Sequence, residues 1–401
     1  MKLNIFLILS MTLSLQAYDL KEIIHSLDTS KKAKEIEQKS YANIASNALG
    51  TAYEAPEFGM SATEVKLNDK SDNGLEYSLG ISQSIAQPFA SKSKKRATAA
   101  MTNSIKQEAK HEFHVFVLHT VSLYHDVCIA KELKEQANVL YEDQEKMFQQ
   151  VQRAYDLGEV SKKSLLLNKL ELMKLEQKIS IYKRAYEIDL HSLQSGVDSL
   201  EIKEVSCDDM FEIKRDIELI PLEEHGEVKR IEFEKDASAS YLNVYDAMLQ
   251  GVAYEVSYER ELDAKRYGFG LSIPLSSFTD SNEIAKKEYL HKNAALNFEK
   301  DTLMQGVKST SASLQVKLQT LYDEYTLVEN EILPLNTELL RLSKSAYLEG
   351  EGSAMEFLYA SRSYSEYMIE ILQIKKDYYN QLFELYKTAD LELGEGYENI
   401  K

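Results

Sequence analysis

The feature that most constrains this chain is that it repeats itself. Ala154-Tyr155-Asp156-Leu157-Gly158-Glu159-Val160-Ser161 returns 192 residues later as Ala346-Tyr347-Leu348-Glu349-Gly350-Glu351-Gly352-Ser353, with Ala, Tyr, Gly, Glu and Ser in common. Upstream, Leu79-Gly80-Ile81-Ser82 returns as Phe269-Gly270-Leu271-Ser272 at an offset of 190. Two unrelated motifs that share nearly one offset mark a duplication. The chain is read as a leader, 1–17, followed by two copies of one unit, 18–206 and 207–401, which together build one domain. In each Tyr-x-x-Gly-x-x-Ser the glycine suits the left-handed end of one helix and the serine suits the cap of the next. Each motif is thus a turn between two helices.

Long helices flank these turns. Between Pro88 and Pro221 there is no other proline, and the only glycines are Gly158 and Gly196. Phe116, Thr120, Leu123, Val127, Ala130, Lys134, Ala137, Tyr141, Gln144, Phe148, Val151 and Tyr155 step by four and three, a heptad seam. Lys134 and Gln144 are expected to weaken it locally. Tyr364, Met368, Ile371, Lys375, Tyr378, Leu382, Leu385 and Ala389 form a second seam. Tyrosine and alanine on these seams point to helices packed side by side in a wall, and an ordinary coiled-coil core is the alternative.

Strand signals come in pairs, one pair per copy. Phe58, Met60 and Ala62 precede Leu75, Tyr77, Leu79 and Ile81. Val252, Tyr254, Val256 and Tyr258 precede Phe269, Leu271, Ile273 and Leu275. Period two with one apolar and one polar face reads as β. Each copy then runs short helix, β-hairpin, long helix, turn, medium helix. The expected helices are Tyr18–Leu49, Ser91–Tyr155 and Ser161–Leu200 in the first copy. In the second they are Leu222–Leu249, Asp280–Leu348 and Ser353–Leu391. The short and medium helices together match the long one in length, so two stacked helices fit along one, a wall roughly 100 Å tall at 1.5 Å per residue. Four strands are too few to close a membrane barrel, which needs about eight. Three chains would supply twelve. A four-stranded soluble sheet capping a coiled coil is the other reading.

Composition removes most alternatives. The formal charge of -18 argues against a nucleic-acid partner, because phosphate binding needs a basic face. At 44% hydrophobic the chain is not wholly disordered. Met1-Lys2, the apolar stretch Ile5 to Leu15 and Leu15-Gln16-Ala17 have the layout of a secretory signal peptide, which places the mature start near Tyr18. No cysteine follows the cut, so no lipid anchor is expected there. Beyond this leader no run of about 18 apolar residues suggests a polytopic helical membrane protein.

Ile332-Leu333-Pro334, Ala346-Tyr347-x-x-Gly350-x-x-Ser353 and Phe357-Leu358 resemble the C-terminal repeat of the outer membrane efflux protein (TolC) family. Gly80-Ile81-Ser82-Gln83, Tyr155-x-x-Gly158-x-x-Ser161 and Leu165-Leu166 resemble the matching first repeat. The resemblance covers essentially the whole mature chain. It implies a mainly α protein with a small β part: a homotrimer with a 12-stranded β-barrel in the cell outer membrane, continued by a long α-helical barrel in the periplasm. The implied activity is passive export through a tripartite efflux pump or a type I secretion system, with an inner-membrane pump and a periplasmic adaptor as partners. Tyr155, Gly158, Ser161, Tyr347, Gly350 and Ser353 would form the periplasmic tip that docks the adaptor. Acidic residues beyond the second turn form the family's periplasmic constriction. Glu356 matches the first position, whereas Tyr359 departs from the pattern at the second. A surface glutamate is the other reading of Glu356.

No enzyme is expected. His111-Glu112-Phe113-His114, with His119 and His125 beyond, lacks the His-Glu-x-x-His spacing of zinc hydrolases and reads as a solvated polar helix face rather than a metal site. No catalytic set, metal or cofactor is expected. A non-conducting periplasmic or surface coiled-coil structural protein is the alternative to the duct. Cys128 and Cys207 are expected to stay unpaired. If the second arm of the hairpin runs on as helix, Cys207 lies roughly 27 Å past the point opposite Cys128, and a disulfide needs Cα atoms within about 7 Å.

Overall fold

The computed structural model describes residues 17–51, 55–66, 73–198, 200–247, 251–273 and 279–393. The leader lies almost wholly outside these. The chain forms two compact units. One holds the sheet and residues Ile36–Glu112 and Pro221–Val307. The other holds the residues before Ile36, Phe113–Ile220 and the chain from Lys308.

In the sheet unit, β1 (Glu57–Lys66), β2 (Asn73–Ala86), β3 (Gly251–Arg260) and β4 (Lys265–Ser272) form one antiparallel sheet in sequence order. The two expected hairpins pair through β2 and β3. Register sorts the side chains into two faces. Phe58, Ile81, Val256 and Phe269 share one cross-strand row, and Met60, Leu79, Tyr258 and Tyr267 share another on the same face. The opposite face carries Glu57, Ser82, Glu255 and Gly270 in one row and Gly59, Gly80, Ser257 and Gly268 in the next. Below the strands are α2 (Lys31–Leu49), the start of α3 (Pro88–Asp156), α5 (Gly226–Asp246) and the start of α6 (Asp280–Leu327). Ala97, Ile105, Val228, Ile231, Ala237, Val244 and Leu296 are buried among them. The Asn47 amide donates to the Thr98 carbonyl at 2.8 Å, and Tyr289 stacks against both Tyr241 and Tyr245.

The second unit is helical. Its core joins α1 (Leu20–Leu27), α3 from Phe113, α4 (Lys162–Gly196), the later part of α6 and α8 (Ala354–Ala389). The α3 seam is buried or half-buried, and so is a second stripe through Val117, Val121, Tyr124 and Cys128. A helix that buries two stripes has a neighbour on each side, the arrangement expected of a wall. One stretch of α3 is long and apolar enough to cross a bilayer by composition, and more than half of it lies inside the fold. Lys134 and Gln144 are accommodated on the seam rather than disruptive. Lys134 sits over the Tyr186 ring, and buried Gln144 bonds Asn168 and Ser361.

Three helix expectations need correcting. The first helix is two, because Ser30 accepts from the Ala33 amide and Asp198 from the Lys31 amide, which starts a new helix at Lys31. The helix expected over Asp280–Leu348 carries a π turn at Val328–Ile332 before α7 (Leu333–Leu348). Pro334 has no amide hydrogen, and its ring crowds the carbonyl four residues back, so the bonding shifts to the Leu333 amide reaching Val328. The third correction has the largest consequence. α4 ends at Gly196 and does not reach Leu200. The described residues from Val197 to Ile220 have almost no regular structure and fold back across the core. They bring Cys207 to Cys128, and the two form a disulfide with Cα atoms 5.6 Å apart. The expectation of free thiols fails because the helix it extrapolated stops short.

Candidate functional site

The two duplicated turns have the same backbone. Gly158 has φ +80° and Gly350 φ +77°, the left-handed region that glycine enters without a Cβ penalty. Glu159 donates to the Ala154 carbonyl and Gly158 to Tyr155. Glu351 donates to Ala346 and Gly350 to Tyr347. This pair of bonds is the Schellman arrangement that closes a helix C-terminus. Ser161 then caps α4 through the Ser164 amide, and Ser353 caps α8 through the Glu356 amide. The caps and turns expected from the sequence are all present.

The fold also brings the turns together. Met147 and Val151 of α3 pack with Ala354, Phe357 and Leu358 of α8, joined by Val160, Leu165, Leu340 and Tyr347. Tyr347 stacks on Phe357 at 5.7 Å, and burial followed by the nearby Glu159 charge raises its pKa. Tyr155 is half-buried beside its own turn. The sequence reading missed two leucines here. Leu157 and Leu348 project from the two turns with 74% and 59% of their surface exposed. Leu157 directly precedes its turn glycine, and Leu348 lies two residues before the other.

Glu356 is exposed and closes a capping box. Its carboxylate accepts from the Ser353 amide at 3.0 Å, while its own amide donates to Ser353 Oγ at 3.2 Å. Tyr359, one turn on, is exposed. Glu349 accepts from Ser345 Oγ at 2.9 Å.

The solvated face expected of the histidines holds only in part: His119 is exposed and His111 and His114 are half-buried, but His125 is not on it. His125 is buried among Tyr124, Phe211, Tyr379 and Phe383. Its Nδ1 lies 2.9 Å from the Val121 carbonyl, and its Nε2 accepts from the Phe211 amide at 3.0 Å. Burial lowers its pKa to about 4. His114 lies 3.9 Å from Asp390, and the His111 ring faces His225 in the sheet unit. Among the described residues no three potential ligands converge on a metal position.

Two further surfaces are open. In the sheet, Phe58, Met60, Ile81, Val256, Phe269 and Leu271 are exposed although they share one face. From Leu75 to Ile85 the apolar positions of β2 span about 34 Å at 3.4 Å per residue. Tilted by about 40°, that is a band roughly 26 Å high, the height of the apolar belt of a membrane barrel. Strands β1 and β4 each have one unpaired edge. In the helical unit Leu166, Leu170 and Met173 on α4, and Leu335, Leu339 and Leu342 on α7, are exposed at heptad steps.

The described residues thus form an open antiparallel sheet with an exposed apolar face and a set of long helical hairpins. Similarity to known proteins agrees. No family profile matches the sequence, and no curated protein matches it significantly. Solved structures do match. The Campylobacter jejuni CmeC outer membrane channel is 15% identical, with a TM-score of 0.74 over 94% of this chain and 87% of that one. The open state of the Neisseria gonorrhoeae MtrE outer membrane channel is 15% identical, with a TM-score of 0.76 over 92% and 88%. CusC, studied for its transmembrane channel formation, is 14% identical, with a TM-score of 0.77 over 92% and 91%. The chain has the fold of the TolC-like outer membrane efflux channels.

Proposed function

We propose that this protein is the outer-membrane exit duct of a tripartite efflux pump or type I secretion system. The observation that carries the reading is the exposed apolar face of the four-stranded sheet with both edges unpaired. Such a sheet is a liability in water and a barrel segment in lipid. Three copies would close twelve strands in the outer membrane, and the exposed seams of α4 and α7 would meet between neighbours in the periplasm. Export is passive, driven by an inner-membrane pump through a periplasmic adaptor.

The turns at Gly158 and Gly350 are the docking tip, with Tyr155, Ser161, Tyr347 and Ser353 holding its shape and Leu157 and Leu348 offering apolar contact. Arginine at Ser161 and Ser353 is expected to block export and leave the trimer intact. Normal export, or loss of the trimer, counts against docking. Glu356 forms a carboxylate ring near this end on the three-fold axis. Glu356→Gln keeps the capping box, because glutamine also serves at that position. It should therefore lower cation preference and weaken block by divalent metals without unfolding the tip. Unchanged selectivity in planar bilayers removes Glu356 from the pore.

The whole reading is tested by cell fractionation and sizing in detergent, then bilayer conductance. An outer-membrane trimer that conducts supports it. A soluble or non-conducting protein favours the structural coiled-coil alternative.

A further inference from the structure

A run of uncompensated cations sits directly below the apolar face of the sheet. β2 ends at Ala86 and α3 begins at Pro88, with no acidic residue in its first turn. Ile85 and Phe89 are exposed, so the apolar surface continues from the strand onto the helix. Lys92, Lys94, Lys95 and Arg96 follow at once. Lys92, Lys95 and Arg96 are exposed, and Phe89, Lys92 and Arg96 are spaced three, four and seven apart on one helix face. No ion pair to any of the four is present among the described residues, although the chain as a whole carries -18. Like charges at three- and four-residue spacing destabilise a helix.

The duplication supplies an internal control. At the offset of 190 the equivalent positions are Asn282, Ile284, Ala285 and Lys286. That copy starts with Asp280 and Glu283 in its first turn, and Lys286 pairs with Asp246 at 2.9 Å. Asn282 instead caps the Tyr245 carbonyl. Lys287 likewise pairs with Glu283 at 3.8 Å, so the cations at this position of the second copy have acidic partners, whereas those of the first have none among the described residues.

We propose that Lys92, Lys94, Lys95 and Arg96 form a docking surface for the anionic phospholipid headgroups of the membrane leaflet on the helical side of the barrel. This rests on the sheet lying in a bilayer, the reading given above. The geometry fits headgroups. The cations begin three residues and end seven residues beyond Phe89, about 5–10 Å along the helix, and the headgroup zone is about 5–8 Å deep on each side of the hydrocarbon. Long lysine and arginine stems lie along apolar surface while their charges reach the phosphates. Charge complementarity, and continuity with the apolar face, select an anionic lipid over a neutral one.

The test uses full-length protein reconstituted into phosphatidylcholine vesicles containing a trace of spin-labelled phosphatidylglycerol or spin-labelled phosphatidylcholine. The wild type should hold labelled phosphatidylglycerol about fivefold or more over phosphatidylcholine at low salt. The preference should fall towards one at about 1 M salt, where charges are screened beyond about 3 Å. K92Q/K94Q/K95Q/R96Q should show no preference at any salt. K92R/K94R/K95R should retain it, as should K286Q/K287Q/K292Q. Insertion of the wild type with equal retention of both lipids overturns the proposal and leaves the duct intact. Full preference in the fourfold glutamine variant also overturns it. Failure to insert into any vesicle sinks the duct and this surface with it.

Discussion

Replacing both cysteines, Cys128→Ser with Cys207→Ser, isolates what the disulfide contributes. The bridge closes a loop of sequence separation 79, which contains the whole α3–α4 hairpin with its turn. Loop-closure entropy for about 80 residues is near 15 cal/mol/K, or about 4.5 kcal/mol at 25 °C. With unfolding entropy near 2.1 cal/mol/K per residue over the chain, the loss corresponds to a drop in Tm of about 5 °C. The segment it tethers has other anchors. Tyr124 donates to the Ser206 carbonyl, Tyr379 to Phe211, and Tyr378 both donates to and accepts from Lys214. Gln315 donates to Ile217, and Arg215 pairs with Asp323. These bonds satisfy a backbone that has no ladder of its own, so the variant should fold and assemble with a lowered melting temperature. The assay is the helical circular dichroism melt in neutral detergent, beside mass spectrometry of the unreduced protein. Quantitative alkylation of both thiols without reductant would refute the pairing. A variant melting within about 1 °C of wild type would refute the entropic account.

His125 is neutral in the fold, with its pKa lowered to about 4 from 6.5, so the unfolded chain binds more protons between those values. Stability present above pH 6.5 is lost on acidification through this window, by up to about 3 kcal/mol; denaturant titrations at pH 7.5 and 4.5 should show a smaller loss in His125→Gln. At Gly158 or Gly350 an added Cβ meets nothing within 4 Å, so alanine there should cost only the left-handed backbone penalty, about 1–2 kcal/mol per site; no change in unfolding midpoint would contradict the positive φ. On the sheet, Val256→Lys should weaken folding into vesicles by about 2–4 kcal/mol, whereas Ser257→Lys on the other face should have little effect; equal effects would mean that the faces are assigned wrongly.

What was legible in the sequence was whatever repeats with a short period or recurs by duplication. The strand faces followed from alternation alone, because a register fixed by one apolar face leaves no freedom. The turns followed from a glycine and a serine whose local bonds need no tertiary partner. The seams of α3 and α8 were visible, but not that α3 buries a second stripe, since burial on a flank depends on which helices arrive there. The segment from Val197 to Ile220 was opaque for the same reason. Its backbone bonds go to Tyr124, His125, Tyr378 and Gln315, residues on three distant helices, and nothing local announces them. His125 looked like one of a polar series and is instead an acceptor for that segment.

The two copies diverge where their surroundings differ, and this separates scaffold from function. Both keep the Schellman turn and its serine cap, because the bonds lie within eight residues and any change costs the hairpin directly. They part at the start of the long helix after each hairpin. One copy there carries Asp280 and Glu283, the charges a helix start favours. The other carries no acid in its first turn and four cations soon after it. The second copy's cations there have intrachain acidic partners, whereas the first copy's have none among the described residues. The reason we propose for the first copy lies outside the chain at that height. The exposed Ile85 and Phe89 just above the cations make the edge of a hydrocarbon layer the neighbour we propose. On that proposal the charge asymmetry between the copies reflects contact with a surface, and the cationic copy is where that contact should be sought.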